Sequence, residues 1–455
     1  MSTALHLSPF SPSAFIARRM HLMKNILALG GGVAIIPTAP EVVRNRDAHY
    51  DFRPDSYFYY LTGFCEPEAL LVLISTEQTQ RTILFCREKN MEREIWDGHR
   101  YGPEAAQKTF AFDEALPFDM FKQHLPTLLA NQTQIFSPLL DNATWDATLR
   151  DALNSARSAT RSGASAPRVV HDVYTLLNEQ RLIKDVQEQE WMRAAGRISA
   201  KGHVRAMQTC RVGQRETDLE AEILYSFAKD GAQHVAYNSI VASGANACVL
   251  HYRAGSTLLN NGDLCLIDAG AEYGLYAGDI TRTFPVNGRF SPAQRAVYDI
   301  VLAAQEAAIA STHVGAHFNA PHEAATRILT EGMLNLGLLD ANQVGSIDDA
   351  IHSGAYRQFY MHRTSHWIGL DVHDCGAYSN GQDDARQPIW RTLQEGMALT
   401  IEPGLYIRPS ANVPESFWNI GIRIEDDAII TKNGCELTTR DVPVSIADIE
   451  RLMKH

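Results

Sequence analysis

Short apolar runs in the second half of the chain repeatedly end on acidic residues. Leu264-Cys265-Leu266-Ile267 has the character of a buried strand and stops at Asp268. Asp279 is followed by the alternating run Ile280–Phe284, and Gly274 and Gly278 mark a turn between the two. Paired as an antiparallel hairpin centred on Tyr273-Gly274, these runs place Asp268 opposite Asp279, with side chains about 5 Å apart. Two such carboxylates repel each other and are costly to desolvate, and a cation between them relieves both penalties. Further on, Met397–Ile401 closes on Glu402 and a Pro-Gly turn. In Ile420–Glu425, strand periodicity sets Ile420, Ile422 and Ile424 on one face and Arg423 and Glu425 on the other. Asp426-Asp427 is expected at a solvated turn.

The earlier pattern predicts an α/β N-terminal domain. Residues 1–25 read as an extension, rich in Ser and Pro before a helical stretch around Arg18–Lys24. Strands are expected at Val33–Ile36, Tyr57–Gly63, Ala69–Ile74 and Thr82–Phe85, with helices near 103–109 and 117–130. Ser155–Pro167 reads as a solvated connection. Helical spacing then runs from Val173 to Met207 and from Thr217 to Lys229, which places a domain boundary near residue 175. Domains of 1–175 and 176–455 follow. The second adds strands around 238–242, helices at 292–311 and 321–336, and a strand-rich end from 397 to 432.

Composition narrows the function classes. A chain of 455 residues with a net charge of -12 has no general affinity for nucleic acid or anionic membrane. Seven scattered cysteines without CxxC spacing indicate reduced thiols and a cytoplasmic address. No signal peptide and no apolar window long enough for a membrane span is evident.

Three histidines, His362, His366 and His373, lie within twelve positions among Trp, Ile, Leu and Val. One buried histidine is usually a hydrogen-bonded core residue, but three beside carboxylates point to a site. Asp268, Asp279, His366, Glu402 and Glu425 together offer four carboxylates and one imidazole. That donor set suits hard or borderline divalent ions such as Mn²⁺. Its charge matches two ions roughly 3.5–4 Å apart.

The stretches DAGAEYGLYAGDITRTFPVNGRF, HRTSHWIGLDVHD, TIEPGLY and GIRIEDD resemble, in order and spacing, the metal-binding motifs of the pita-bread metallopeptidases. The similarity is strongest to the bacterial aminopeptidase P (Xaa-Pro aminopeptidase) family, and APEVVRNRD, YYLTGFCEPEALLVL and REIWDGHRYG extend it through the N-terminal domain. The resemblance implies an α/β N-terminal domain followed by an α+β pita-bread catalytic domain. Asp268, Asp279, His366, Glu402 and Glu425 would hold two divalent ions, most simply Mn²⁺, with Asp279 and Glu425 bridging them. It also implies hydrolysis of the Xaa-Pro bond of peptides with proline second, by a hydroxide shared between the ions. Glu402 would handle the proton. His251 and His373 match substrate-contacting histidines, His362 and Tyr237 residues of the proline pocket, Arg423 the supporting arginine, and Trp96 a groove-closing residue that implies a homo-oligomer. Arg363-Thr364 and Tyr57 depart from the pattern; relatives carry small or apolar residues at the first place and some an acidic one at the second. The rival readings are a prolidase restricted to dipeptides, a metal-free binding protein and a creatinase-like hydrolase.

Overall fold

The computed structural model describes residues 12–454, so the Ser- and Pro-rich start of the expected extension lies outside them. The chain divides into two compact units, Met1–Arg181 and Leu182–His455.

In the first unit the remainder of the expected extension is a helix, Pro12–Ala28. Its Arg19 is buried and donates to the carbonyls of Leu61 and Phe110, which lie at the ends of two other helices and have no partner within them. A six-stranded mixed sheet runs in the spatial order Glu114–Pro117, Gln80–Cys86, Leu70–Ser75, Gly32–Pro37, Gln134–Ser137, Val169–Asp172. The two central pairings, Gly32–Pro37 with Leu70–Ser75 and Leu70–Ser75 with Gln80–Cys86, are antiparallel, and the outer three are parallel. Val33, Ile35, Leu70, Val72 and Phe85 pack against Leu125, Leu129, Trp145 and Leu149 of two covering helices.

Two expectations fail in this unit. Tyr57–Gly63 is not a strand; Ser56–Thr62 is a helix capped by the Asp55 carboxylate on the Phe58 N–H at 2.8 Å and ended by Gly63 at φ 66°. Aromatic residues favour strands, but good caps at both ends and burial of Phe58, Tyr59, Tyr60 and Leu61 decide the matter here. The connection expected over Ser155–Pro167 is also partly helical, because Ala143–Ser158 continues into it.

The second unit repeats one order of elements. Helices Val186–Thr209 and Glu216–Lys229 precede strands Ile240–Ser243, Leu264–Asp268 and Thr281–Pro285; helices Pro292–Ala310 and Ala320–Asn335 precede Ala398–Ile401, Gly404–Ile407, Ile420–Arg423 and Asp426–Thr431. Each half contributes one antiparallel ribbon that changes sheet midway. In the first, Leu264–Asp268 pairs with Thr281–Pro285, and beyond a break Ala271–Tyr273 pairs with Tyr276-Ala277 in another sheet. The turn is Gly274-Leu275, both at positive φ as a two-residue hairpin turn requires. In the second ribbon Ala398–Ile401 pairs with Asp426–Thr431, and beyond its break Gly404–Ile407 pairs with Ile420–Arg423. Helix and strand side chains of both halves share one core. Among the described residues no helix is long and apolar enough to cross a membrane.

Candidate metal centre

The breaks in the two ribbons carry the acidic residues. Asp268 ends its strand and Asp279 precedes Thr281–Pro285, both at the first break. A Cβ on Gly270 would sit 1.6 Å from the Gly278 carbonyl oxygen, so the two chains cross there more closely than any side chain permits. The register differs from the sequence expectation: Asp268 faces Thr281, two places from Asp279. Side chains alternate with period two, so a two-residue shift keeps both carboxylates on one face. At the second break the pairs Ile401–Asp426 and Gly404–Arg423 on either side set Glu402 across from Glu425.

His366 reaches the same place along the edge of the Ala398–Ile401 strand. The Thr400 N–H donates to the His366 carbonyl at 3.0 Å, and the His366 N–H to Thr400 Oγ1 at 3.2 Å. His366 Nδ1 donates to the Trp367 carbonyl at 2.9 Å, which fixes the tautomer and leaves Nε2 facing the acids. Nε2 lies 3.6 Å from both Asp279 Oδ2 and Glu402 Oε1. One donor atom each from Asp279, His366 and Glu425 fits within 4.8 Å.

A cavity of about 760 Å³ opens onto this cluster, lined also by Tyr237, His251, His362, His373 and Arg423. The structure thus brings together all the second-unit residues that the sequence singled out. The Tyr237 hydroxyl sits between Asp268 and Asp279 and can donate to either. His373 lies ring to ring with His366 at 4.2 Å. Trp96 belongs to the first unit, on helix Met91–Asp97, where it is 81% exposed.

Arg423 ties the ribbons together. It donates from Nη2 to Asp268 Oδ2, from Nε to Thr281 Oγ1 at 2.9 Å, and from Nη1 to the Tyr406 hydroxyl at 2.9 Å. Thr281 in turn donates to Glu425, and Tyr406 meets His362 Nε2 at 2.8 Å. Sequence reading gave no role to Tyr406 or Thr281. The signal for Tyr406 was period two, since Glu402, Gly404 and Tyr406 share a face. Asp426-Asp427 requires correction: both are buried strand residues, not a solvated turn. Asp426 is held by Arg282, Arg440, Gln305 and Thr439, while Asp427 Oδ2 accepts the Asp279 N–H at 2.9 Å. Asp427 continues the alternation Arg423, Glu425, which was the legible clue.

Burial raises the carboxyl groups of Asp279, Glu402 and Glu425, and their mutual repulsion adds to it; Glu402 reaches about 7. Burial depresses His366, but Asp279 and Glu402 outweigh it and carry the ring to about 9. Burial, with Arg423 beside it, lowers His362 to about 3 despite its hydrogen bond to the Arg363 carbonyl. Three buried carboxylates, the partly buried Glu402, one imidazole and one compensating arginine form a cluster that is unstable with all its acids ionised and stable around divalent cations. The donor set fits them.

Comparison with known proteins agrees with this chemistry. Residues 190–432 match the model of metallopeptidase family M24, and residues 15–136 match that of the aminopeptidase P N-terminal domain. The Xaa-Pro aminopeptidase of Escherichia coli (strain K12) is 43% identical over 98% of this chain and 99% of its own. The solved structure of aminopeptidase PepP from Pseudomonas aeruginosa matches with a TM-score of 0.93 at 45% identity, covering 98% of each chain. Aminopeptidase P from E. coli with the inhibitor Pro-Leu matches with a TM-score of 0.92 at 42% identity, over 98% of this chain and 99% of that one. An aminopeptidase P-type N-terminal domain thus precedes a pita-bread catalytic domain, and the chain belongs to metallopeptidase family M24.

Proposed function

We propose that this chain is an aminopeptidase that removes the first residue of peptides whose second residue is proline, using two divalent ions, Mn²⁺ the first choice. The observation that carries the reading is the convergence of Asp268, Asp279, His366, Glu402 and Glu425 at two facing ribbon breaks inside one cavity. Those five side chains would hold the ions, Asp279 and Glu425 shared between both. When bound, the ions supply Lewis acidity for the scissile carbonyl and acidify water.

The chain's own groups do the rest. A peptide's free ammonium group is attracted to the buried acids, which places the first peptide bond at the cluster. Proline offers no N–H at that bond, so recognition falls on ring and carbonyl rather than on a backbone donor. His362 and Tyr237 form walls against the ring. His373, depressed by burial and by the nearby His366, stays neutral and donates to the carbonyl oxygen as negative charge develops there. Glu402 accepts a proton from the attacking water and delivers it to the departing proline nitrogen as the C–N bond breaks. His251 lines the same cavity as a further substrate contact. Arg423 keeps Asp268 and the Thr281–Glu425 pair oriented.

All seven cysteines are free, which supports a cytoplasmic setting. Trp96, with Ile95 and Met91 exposed on the same helix, supports a homo-oligomer. The deciding assay compares Xaa-Pro-Yaa with Xaa-Pro on the metal-loaded protein. Release of the first residue from the tripeptide is expected; cleavage of the dipeptide alone would make the chain a prolidase, and cleavage of neither would refute a peptidase.

A further inference from the structure

The cavity is acidic at its buried end and basic at its exposed end. Asp268, Asp279 and Glu425 are buried and Glu402 is partly buried, whereas the two exposed cations that line it are Arg253 and Arg363. The two arginines are held differently. With its amide turned so that Oδ1 faces Arg253, Asn238 accepts from both terminal nitrogens of that residue, at 2.6 and 3.3 Å. Arg363 donates only from Nη2, to Asn319 Oδ1 at 2.9 Å, and Asn319 is itself oriented by Glu323 at 2.7 Å. The Arg363 guanidinium lies 4.9 Å from the centroid of the Trp390 ring. Among the described residues no other hydrogen bond and no ion pair reaches it. The stack and the single bond therefore fix the plane of the fork without neutralising its charge, and Nε and Nη1 keep their donors for a ligand.

Arg363 directly follows His362, whose ring lies 3.7 Å from Glu402, so a cation stands next in sequence to a residue of the acidic end. A short peptide carries the matching dipole: its ammonium end is drawn to the acids and its carboxylate end points back toward the mouth. An extended tripeptide reaches about 10 Å, and Arg363 and the acidic cluster line one cavity of about 760 Å³. A longer peptide presents a neutral amide at the same point and forfeits a charge-assisted, two-pronged hydrogen bond.

We infer that Arg363 is a specificity-determining residue that receives the C-terminal carboxylate of a short Xaa-Pro-Yaa substrate. This rests on the reading of the chain as an Xaa-Pro peptidase. The test measures kcat/KM for Ala-Pro-Leu and Ala-Pro-Leu-amide with the metal-loaded wild type, Arg363→Gln and Arg363→Lys. The wild type should favour the free acid about tenfold, the usual scale of one charge-assisted bond at a partly exposed site. Arg363→Gln should bring the ratio to near one, and Arg363→Lys should leave part of it. A merely structural arginine would lower both rates together and leave the ratio intact; that result, or equal rates in the wild type, overturns the inference. If neither peptide is cleaved the peptidase reading fails. Calorimetric binding of Pro-Leu and its amide to the same three proteins then still decides the role of Arg363 by the same ratio.

Discussion

Arg423 reaches from the second ribbon to Asp268 at the end of a strand in the first, with Nη2 2.5 Å from Oδ2. This guanidinium shares the charge balance of the acidic cluster with His366, and its neighbours hold it firmly protonated against the cost of its burial. Arg423→Gln leaves Asp268 with only the Tyr237 hydroxyl and no charged partner, and Tyr406 without a donor. Removing one member of a buried ion pair costs about 3–5 kcal/mol. Thermal unfolding should show a loss of that order, with kcat falling more steeply than KM rises; a variant as stable and active as the wild type would contradict the role.

Asp426 and Asp427 are adjacent and both buried, and their carboxyl groups are shifted in opposite directions. Burial raises Asp426, but Arg282 and Arg440 outweigh it and hold its pKa below the usual carboxylate value. Burial and Asp279 push Asp427 well up, which favours its neutral form. Asp426→Asn should therefore cost about 3–5 kcal/mol by breaking a buried charge pair. Asp427→Asn, which keeps shape and acceptor, should cost under about 1 kcal/mol. Denaturant unfolding of the two variants separates them, and equal losses would refute the assignment.

Much of this was legible in the sequence, and the limits have physical causes. Apolar runs ending on Asp268 and Glu402 marked both ribbons, because acids at the ends of buried strands conflict with desolvation unless something compensates. The register of the first ribbon was misjudged by two residues. Turn position depends on which residues accept positive φ, and Leu275 does so without being Gly or Asn. Its consequence was small, since even slips preserve faces. Asp427 was misplaced because two consecutive acids read as a solvated turn, while the arginines that stabilise the neighbouring Asp426 come from Arg282 and Arg440, at a distance in the chain. The Tyr57–Gly63 helix was hidden by aromatic residues whose strand preference the caps override.

Metal-free protein should lose stability as pH rises. Glu402 has a folded value near 7 against 4.5 unexpressed by burial, so the stability linked to it is complete below 4.5 and lost through about 7. His366, raised from 6.5 to about 9, loses its contribution across that higher interval, with the same sign. Chelator-treated protein should therefore melt progressively lower between about pH 5 and 9, and added Mn²⁺ should flatten that slope. A slope unaffected by metal would disconnect these groups from ion binding.

Glu402→Gln removes the proposed proton carrier but keeps the side chain's size. Turnover of Ala-Pro-Leu should drop by about 10²–10⁴, while circular dichroism remains that of the folded wild type. Near-normal turnover would move the proton transfer to another group.

The most direct measurement is metal content against hydrolysis of Ala-Pro-Leu in one titration. Chelation should abolish cleavage, and activity should return with Mn²⁺ until about two ions per chain are bound, the number proposed for the four carboxylates and one imidazole of the cluster. Undiminished hydrolysis by fully stripped protein would contradict a metal-dependent reaction at these ribbon breaks.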